Sequence, residues 1–411
     1  MDWNKLGIYP ANFLLPKDNI NMEKWAVVAC DQYTQDLNYW ESLKEFVGDN
    51  PSTLNLILPE VYLNKRKDYK EQIWRNMENY LNNGILSKEI NNSFILLQRQ
   101  VKNKVKLGLL CVCDLEQYGA AEDKPLIQST EEVVLERIPP RLEIREKAPL
   151  ELSHVMVLFD DKNKTVIEPL NAKADSLDVL YDYGLNKNGG HIKAFKVDKT
   201  EDLEHIYNSL TALKNSNKRG FLYGVGDGNH SLKVAQAHWN NIKANLSPEQ
   251  RENHPARFAT IELCNIHDDA LVFEPIYRVI YNAEPERFIN ELSKYLPISL
   301  KQSGEDDIII KFADKQLYIP YDYASRLLPV AVLQRVLDQI LSTSRALKID
   351  YIHGLEEIKQ LSKSNIGFIL PDIDKSSLFD TVHKLGVLPR KTFSMGSANE
   401  KRYYVECRKI M

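Results

Sequence analysis

Cysteine is scarce in this chain, and its pattern excludes more than it suggests. The five residues, Cys30, Cys111, Cys113, Cys264 and Cys407, are odd in number and lie mostly in apolar, strand-like runs. That is the setting of reduced, buried thiols, not of a disulfide framework. Cys111 and Cys113 lack the C-x-x-C spacing of redox and zinc motifs, and no second pair completes a metal site, so nothing supports a structural zinc. No apolar run reaches the about 18 residues of a membrane span. The N-terminal MDWNKLGIYPANFLLPKDN has no basic segment leading into an apolar one, and the expected location is the cytoplasm. A basic excess is also missing: 53 Lys and Arg face 57 Asp and Glu, a net charge of −4. This argues against a dedicated nucleic-acid binder, whose footprint is a positive face. Repeats and low-complexity tracts are absent, and 43% hydrophobic with 27% charged residues excludes a disordered chain. A length of 411 residues exceeds one typical core and predicts two or three packed lobes.

What is present centres on residues 221–239, FLYGVGDGNHSLKVAQAHW. Residues 221–225 read as a short buried strand, and Gly224, Gly226 and Gly228 permit positive φ and close backbone approach around Asp227. A helix is expected from about Ser231, with Asn229 or Ser231 as its cap. A glycine turn emptying into a helix presents free N–H groups and the positive end of the dipole, which favour phosphate or carboxylate. His230 and Lys233 add side-chain donors on the same turn. The spacing is neither the Walker GxxxxGK[ST] nor the dinucleotide GxGxxG, and a turn of this kind also serves where only strand-to-helix geometry is needed.

The sequence Asp227-Gly228-Asn229-His230-Ser231 resembles the DGHHR signature of the DUF1015 family, which is grouped with the ParB/sulfiredoxin-like superfamily. Other segments agree in order. Asn50-Pro51 with Leu56-Ile57-Leu58-Pro59-Glu60 resembles the NP…LILPE segment, Pro275-Ile276-Tyr277-Arg278 the "PIHR" strand, and Tyr351-Ile352-His353-Gly354 the "Y.HG" segment. Leu388-Pro389-Arg390-Lys391-Thr392 resembles the "MPxKST" tail. The chain departs from the family pattern at Asn229, Ser231 and Tyr277. An Arg at position 231 could grip phosphate bidentately and Ser cannot, so either Lys233, Arg278 or Arg390 takes over that charge, or nucleotide binding is weaker than the family pattern implies.

Along the rest of the chain, residues 24–33 read as an apolar strand ending at Asp31, where the family has a "PPYD" turn. A carboxylate there can act as a base, bind a metal ion, or simply cap the following turn. A helix is expected over 59–83 and a hairpin over 93–115, turning at Lys102-Asn103-Lys104. A second hairpin is expected from 154–159 and 165–169. Residues 137–147 read as a solvated loop or as a lid carrying Arg137 or Arg141 to a phosphate. Strands at 256–264 and 271–280 are expected to pair. The late cluster Arg390-Lys391 could reach back to the site, or be a surface basic pair.

The expected fold is α+β, a mixed sheet with a ParB/sulfiredoxin-like nucleotide-binding core over 1–283 and a smaller C-terminal α+β lobe over 284–411. The superfamily resemblance implies phosphate held at a helix N-terminus beside an acidic residue. The expected function is therefore phosphoryl transfer from ATP or ADP, with CTP as a further candidate, to a small hydroxylated metabolite such as free serine, assisted by Mg²⁺. In that reading Gly226, Gly228, Asn229 and Ser231 cradle phosphate, and His230, Lys233, Arg278, Arg390 and Lys391 neutralise it. Asp227 or Asp31 takes the acceptor proton, or Asp227 binds the metal. The alternative is a non-catalytic nucleotide- or metabolite-binding regulatory protein. A sulfiredoxin role lacks its cysteine, because the turn has Asn229-His230-Ser231.

Overall fold

The computed structural model describes residues 1–34, 36–119, 125–322, 324, 327–344, 346–396, 400–401 and 405–411. Its fold is α+β with a large mixed sheet. The chain divides into two compact units, one of residues 1–129, 133–271 and 397–411, the other of 130–132 and 272–396. The sequence places this division at 283; contacts place it at 271/272 and return the tail to the first unit.

The first unit is built on a hairpin of Leu86–Val101 and Lys104–Asp114, whose register closes at Val101 opposite Lys104. Lys102 takes positive φ, 54°, in the two-residue turn, as the twist of such hairpins demands. The strand order is Tyr118–Gly119, Ile127–Ser129, Tyr223–Asp227, Met156–Phe159, Phe258–Asn265, Lys104–Asp114, Leu86–Val101, His191–Val197, Val179–Gly184. Ile8–Tyr9 and Ala11–Pro16 add to the two hairpin strands. Parallel pairings join Tyr223–Asp227 to Ile127–Ser129 and Phe258–Asn265 to Met156–Phe159.

Both faces of this sheet are covered. Phe94, Leu96, Leu109 and Cys111 pack against Leu203, Ile206 and Leu210 of the Thr200–Ser216 helix and Leu232, Ala235 and Trp239 of the Asn229–Lys243 helix. Ile95, Leu97, Leu110 and Val112 pack against Ile73, Met77 and Tyr80 of the Arg66–Asn82 helix. Two-sided burial explains why the central strand reads as a continuous apolar run instead of alternating. All five cysteines are free thiols, four of them buried. Among the described residues no helix is long and apolar enough to cross a membrane.

The second unit carries a five-stranded sheet in the order Lys315–Ile319, Ile308–Phe312, Ile366–Ile369, Tyr277–Tyr281, Lys348–Ile352, with antiparallel neighbours throughout.

Several local expectations are corrected. Residues 24–33 do not form a sheet strand: Met22–Trp25 is one helical turn, and Val27, Val28 and Ala29 bury themselves in a separate cluster with Trp40, Leu43 and Val47. The apolar run there reports burial, not ladder pairing. Residues 165–169 are no hairpin partner, because Asp161 accepts hydrogen bonds from the backbone of Thr165 and Val166 and turns the chain into the Glu168–Ala172 helix. Residues 137–147 are not a loop: they contain the helix Ile138–Arg145, with Pro139 and Pro140 in a first turn that needs no N–H donors. The pairing expected after residue 256 is replaced: Phe258–Asn265 lies between Lys104–Asp114 and Met156–Phe159, while Phe273–Pro275 pairs with Phe393–Met395.

The strand, glycine turn and helix expected here are present, but the strand is Tyr223–Asp227 instead of 221–225 and the helix begins at Asn229 instead of about Ser231, so neither Asn229 nor Ser231 caps it. Gly228 is the N-cap of the Asn229–Lys243 helix, at φ 79° and ψ 21°. A Cβ at this position would stand 2.9 Å from Val155 Cα and 3.0 Å from Val155 Cγ2. Glycine is therefore required twice, for its dihedral and for the close approach. Gly228→Ala is expected to lower stability by about 2–4 kcal/mol, the sum of left-handed strain and overpacking. Chemical denaturation checks this, and a loss under about 0.5 kcal/mol would contradict it.

Candidate functional site

The candidate site lies in the first unit, where the glycine turn meets three other segments. The register of Tyr223–Asp227 against Met156–Phe159 slips between Val225 and Asp227, so Gly226 is the extra residue of a bulge. Bulges of this kind re-aim the next side chain, which here is Asp227. Its Oδ1 accepts the Gly228 N–H at 2.8 Å. Its Oδ2 lies 3.0 Å from Lys401 Nζ, with both side chains about four-fifths buried. Lys401 is fixed through its backbone, its carbonyl accepting the Ala29 N–H at 2.7 Å.

Two residues beyond Ala29, Asp31 Oδ2 stands 3.4 Å from His154 Nε2, and Asp31 Oδ1 accepts from Gln32 Nε2 at 3.0 Å. Burial alone would raise the Asp31 pKa; the facing His154, its hydrogen bond, that of Gln32 and the charge of Lys401 outweigh it and hold the carboxyl well below the usual carboxylate range. His154 responds in the opposite sense. Burial opposes its protonation, but Asp31 and Asp227 together raise its pKa above the ordinary histidine value. Asp31, His154, Asp227 and Lys401 thus form one electrostatically linked group.

His230 follows on the first turn of the helix. Its Nε2 accepts the Val134 N–H at 3.1 Å. Burial, then the positive charges of Arg141 and Arg137, lower its pKa to about 4. It is a neutral acceptor near pH 7, so positive charge on this side comes from the arginines. Arg141 pairs with Glu60, the last residue of the LILPE segment, and donates to the Arg137 carbonyl at 2.6 Å. Farther along the same helix, burial and Arg145 lower His238 to about 4 as well.

No side chain caps the Asn229–Lys243 helix. Asn229 turns its amide back to the Val225 carbonyl at 3.4 Å, leaving the first-turn amides, including that of Ser231, directed out of the helix end as an anion site requires. Lys233 points along the helix: its Nζ donates to Gln236 Oε1 at 2.8 Å and lies over the Tyr118 ring.

The other expected residues belong to the second unit. Arg278 is fully buried, with Nε on Gln334 Oε1 at 2.9 Å, Nη2 on the Lys391 carbonyl at 2.8 Å, and Nη1 on the Ile276 carbonyl. Burial lowers its pKa to about 10. Its donors shape the backbone around Lys391, whose φ is 62°, and the side chains of Arg390 and Lys391 are exposed.

Among the described residues no three His, Cys, Asp or Glu side chains gather around a common point. Asp227 faces the Lys401 ammonium. The sequence did not single out His154 or Lys401. His154 carried a signal only as a polar residue opening an apolar strand, and Lys401 carried none.

The histidine shifts fix a pH dependence. His230 and His238 have folded pKa values near 4, below the ordinary 6.5, so the unfolded chain binds more protons between those values. Their contribution is complete above about pH 6.5 and is lost as pH falls towards 4. His230→Gln and His238→Gln are expected to flatten the fall of the denaturation midpoint over that window. An unchanged slope in both variants would contradict the shifts.

No curated protein matches the chain in sequence. Among solved structures, a conserved hypothetical protein from Pyrococcus furiosus is 12% identical at a TM-score of 0.35, covering 70% of this chain and 90% of that one. A free serine kinase in complex with AMP is 12% identical at 0.37, covering 70% and 86%. SbnI with C-terminal truncation, from Staphylococcus aureus, is 11% identical at 0.37, covering 70% and 82%. The family described as "Protein of unknown function (DUF1015)" matches residues 8–405, nearly the whole length, and the chain belongs to the DUF1015 family.

Proposed function

We propose that the site binds an adenine nucleotide and transfers a phosphoryl group to the hydroxyl of a small metabolite, with free serine as a candidate acceptor. The observation that carries this reading is the pairing of two acidic residues with two basic partners, Asp31 with His154 and Asp227 with Lys401, beside an uncapped helix N-terminus. Phosphoryl transfer needs positioning and charge stabilisation more than covalent chemistry. First-turn amides of the helix and the cations Lys401, Arg137 and Arg141 meet the phosphate oxygens. The acceptor oxygen forms a bond to phosphorus, and the bond from that phosphorus to the nucleotide's bridging oxygen breaks. The remaining nucleotide leaves with the electron pair, and the hydroxyl proton passes to the Asp31 carboxylate, which faces His154. Magnesium arrives with the nucleotide, bound to its phosphates. CTP remains a second donor to test.

A specific observation favours a second reading, a nucleotide-binding protein without turnover. Position 231 is Ser where the family signature has Arg, and His230 is neutral and already engaged by Val134. Nucleotide would then select a conformation or a partner.

Incubation of the purified protein with ATP or ADP, Mg²⁺ and a pool of hydroxylated metabolites including serine, followed by mass spectrometry, separates the two. Transfer predicts a phosphorylated metabolite that falls about 100-fold with Asp227→Asn or Lys401→Gln, the scale of losing one charge-stabilising group. Nucleotide binding with no product in any mixture would leave the second reading, and no nucleotide binding at all would sink both.

A further inference from the structure

Away from the reacting groups, one buried carboxylate joins the helix that carries Arg141, the segment that leads to His154 and the C-terminal tail. Glu151 is 4% exposed. Its Oε2 lies 2.5 Å from Arg145 Nη2. Its Oε1 accepts from Thr260 N at 2.7 Å, Thr260 Oγ1 at 2.8 Å, Arg408 Nη2 at 2.8 Å and Arg408 Nε at 3.0 Å. The backbone of Leu150–Glu151 also pairs with Arg408–Lys409.

Two of these links lead to site residues. Arg145 is one helical turn beyond Arg141 on the helix Ile138–Arg145, which packs on the Asn229–Lys243 helix. Residues four apart share a helix face, so anchoring Arg145 also sets where Arg141 stands. Arg408 is held further by the Pro255 carbonyl at 2.9 Å. His154 lies three residues after Glu151, and the segment between them is tied down by Ser153, whose Oγ donates to the Thr260 carbonyl at 2.6 Å and accepts the Val155 N–H at 3.1 Å.

We infer that Glu151 is a positioning residue, and that its single carboxylate sets the places of His154 and Arg141 in the site. Two arginines buried against one carboxylate lose their compensation together when the charge is removed, so the arms are expected to shift together. The positioning stands on the contacts above; its consequence for phosphate binding rests on the function proposed for the same site.

The test uses the full chain with ¹³C-labelled histidine, the His230 signal being assigned with His230→Gln. Arg145 is not among the charges that depress His230, whose pKa is lowered by burial first and then by Arg141 and Arg137, so in Arg145→Gln a change in its titration reports a change in that burial or in the places of the two arginines. In the unsubstituted protein His230 titrates near 4. In Glu151→Gln and in Arg145→Gln it is expected to move up by about one pH unit towards 6.5, and pyrophosphate affinity to fall about tenfold. Should Glu151→Gln fail to fold, Arg145→Gln decides alone. A His230 titration that stays near 4 in the folded variants overturns the inference. Movement of the titration in a protein that binds neither pyrophosphate nor ADP would uphold the positioning and sink the phosphate reading instead.

Discussion

The close approach of Gly228 to Val155 is the constraint on which the site depends. With no room for a Cβ between them, the turn after one strand lies directly on the entry to its neighbour. Val155 follows His154 and Gly228 follows Asp227, so the contact sets an imidazole and a carboxylate close enough to influence one another. The bulge at Gly226 then aims Asp227 at Lys401. Helices cover the sheet on both faces and bury the strands that carry these groups.

Charge is distributed around this contact with a consistent logic. Asp31 and Asp227 each face a basic partner, and His230 is kept neutral by burial and by two arginines. An arriving phosphate would meet uncapped amides, Lys401 and the arginine face of a helix, while the acidic residues are already screened by their partners. That arrangement favours an anion in a partly water-excluded place, where each interaction counts for more than in bulk water.

Much of this was legible in the sequence, because the strongest signals are local. The strand, glycine turn and helix of residues 221–239 follow from neighbours in the chain, as does the hairpin turning at Lys102. Asp31, Asp227 and His230 were recognised as candidates, and the LILPE resemblance pointed to the segment that supplies Glu60. His154, Lys401 and Glu151 were not legible, since each matters through a partner distant in sequence and none sits in a distinctive pattern. The apolar run at 24–33 misled because burial in a small cluster and burial in a sheet leave the same composition. Residues 137–147 misled because two prolines suggest a loop, yet both fit the first turn of a helix. Arg278 carried a family resemblance and the charge to bind phosphate, but its buried guanidinium is spent on Gln334 and two carbonyls.

The most direct test of the central claim is an experimental structure of the full chain with ADP bound. The account predicts the terminal phosphate at the first-turn amides of residues 229–231, within hydrogen-bond reach of Lys401 and on the side of Arg141. A nucleotide seated elsewhere, with the turn around Gly228 empty and Lys401 still paired to Asp227, would contradict it and return the glycine turn to architecture alone.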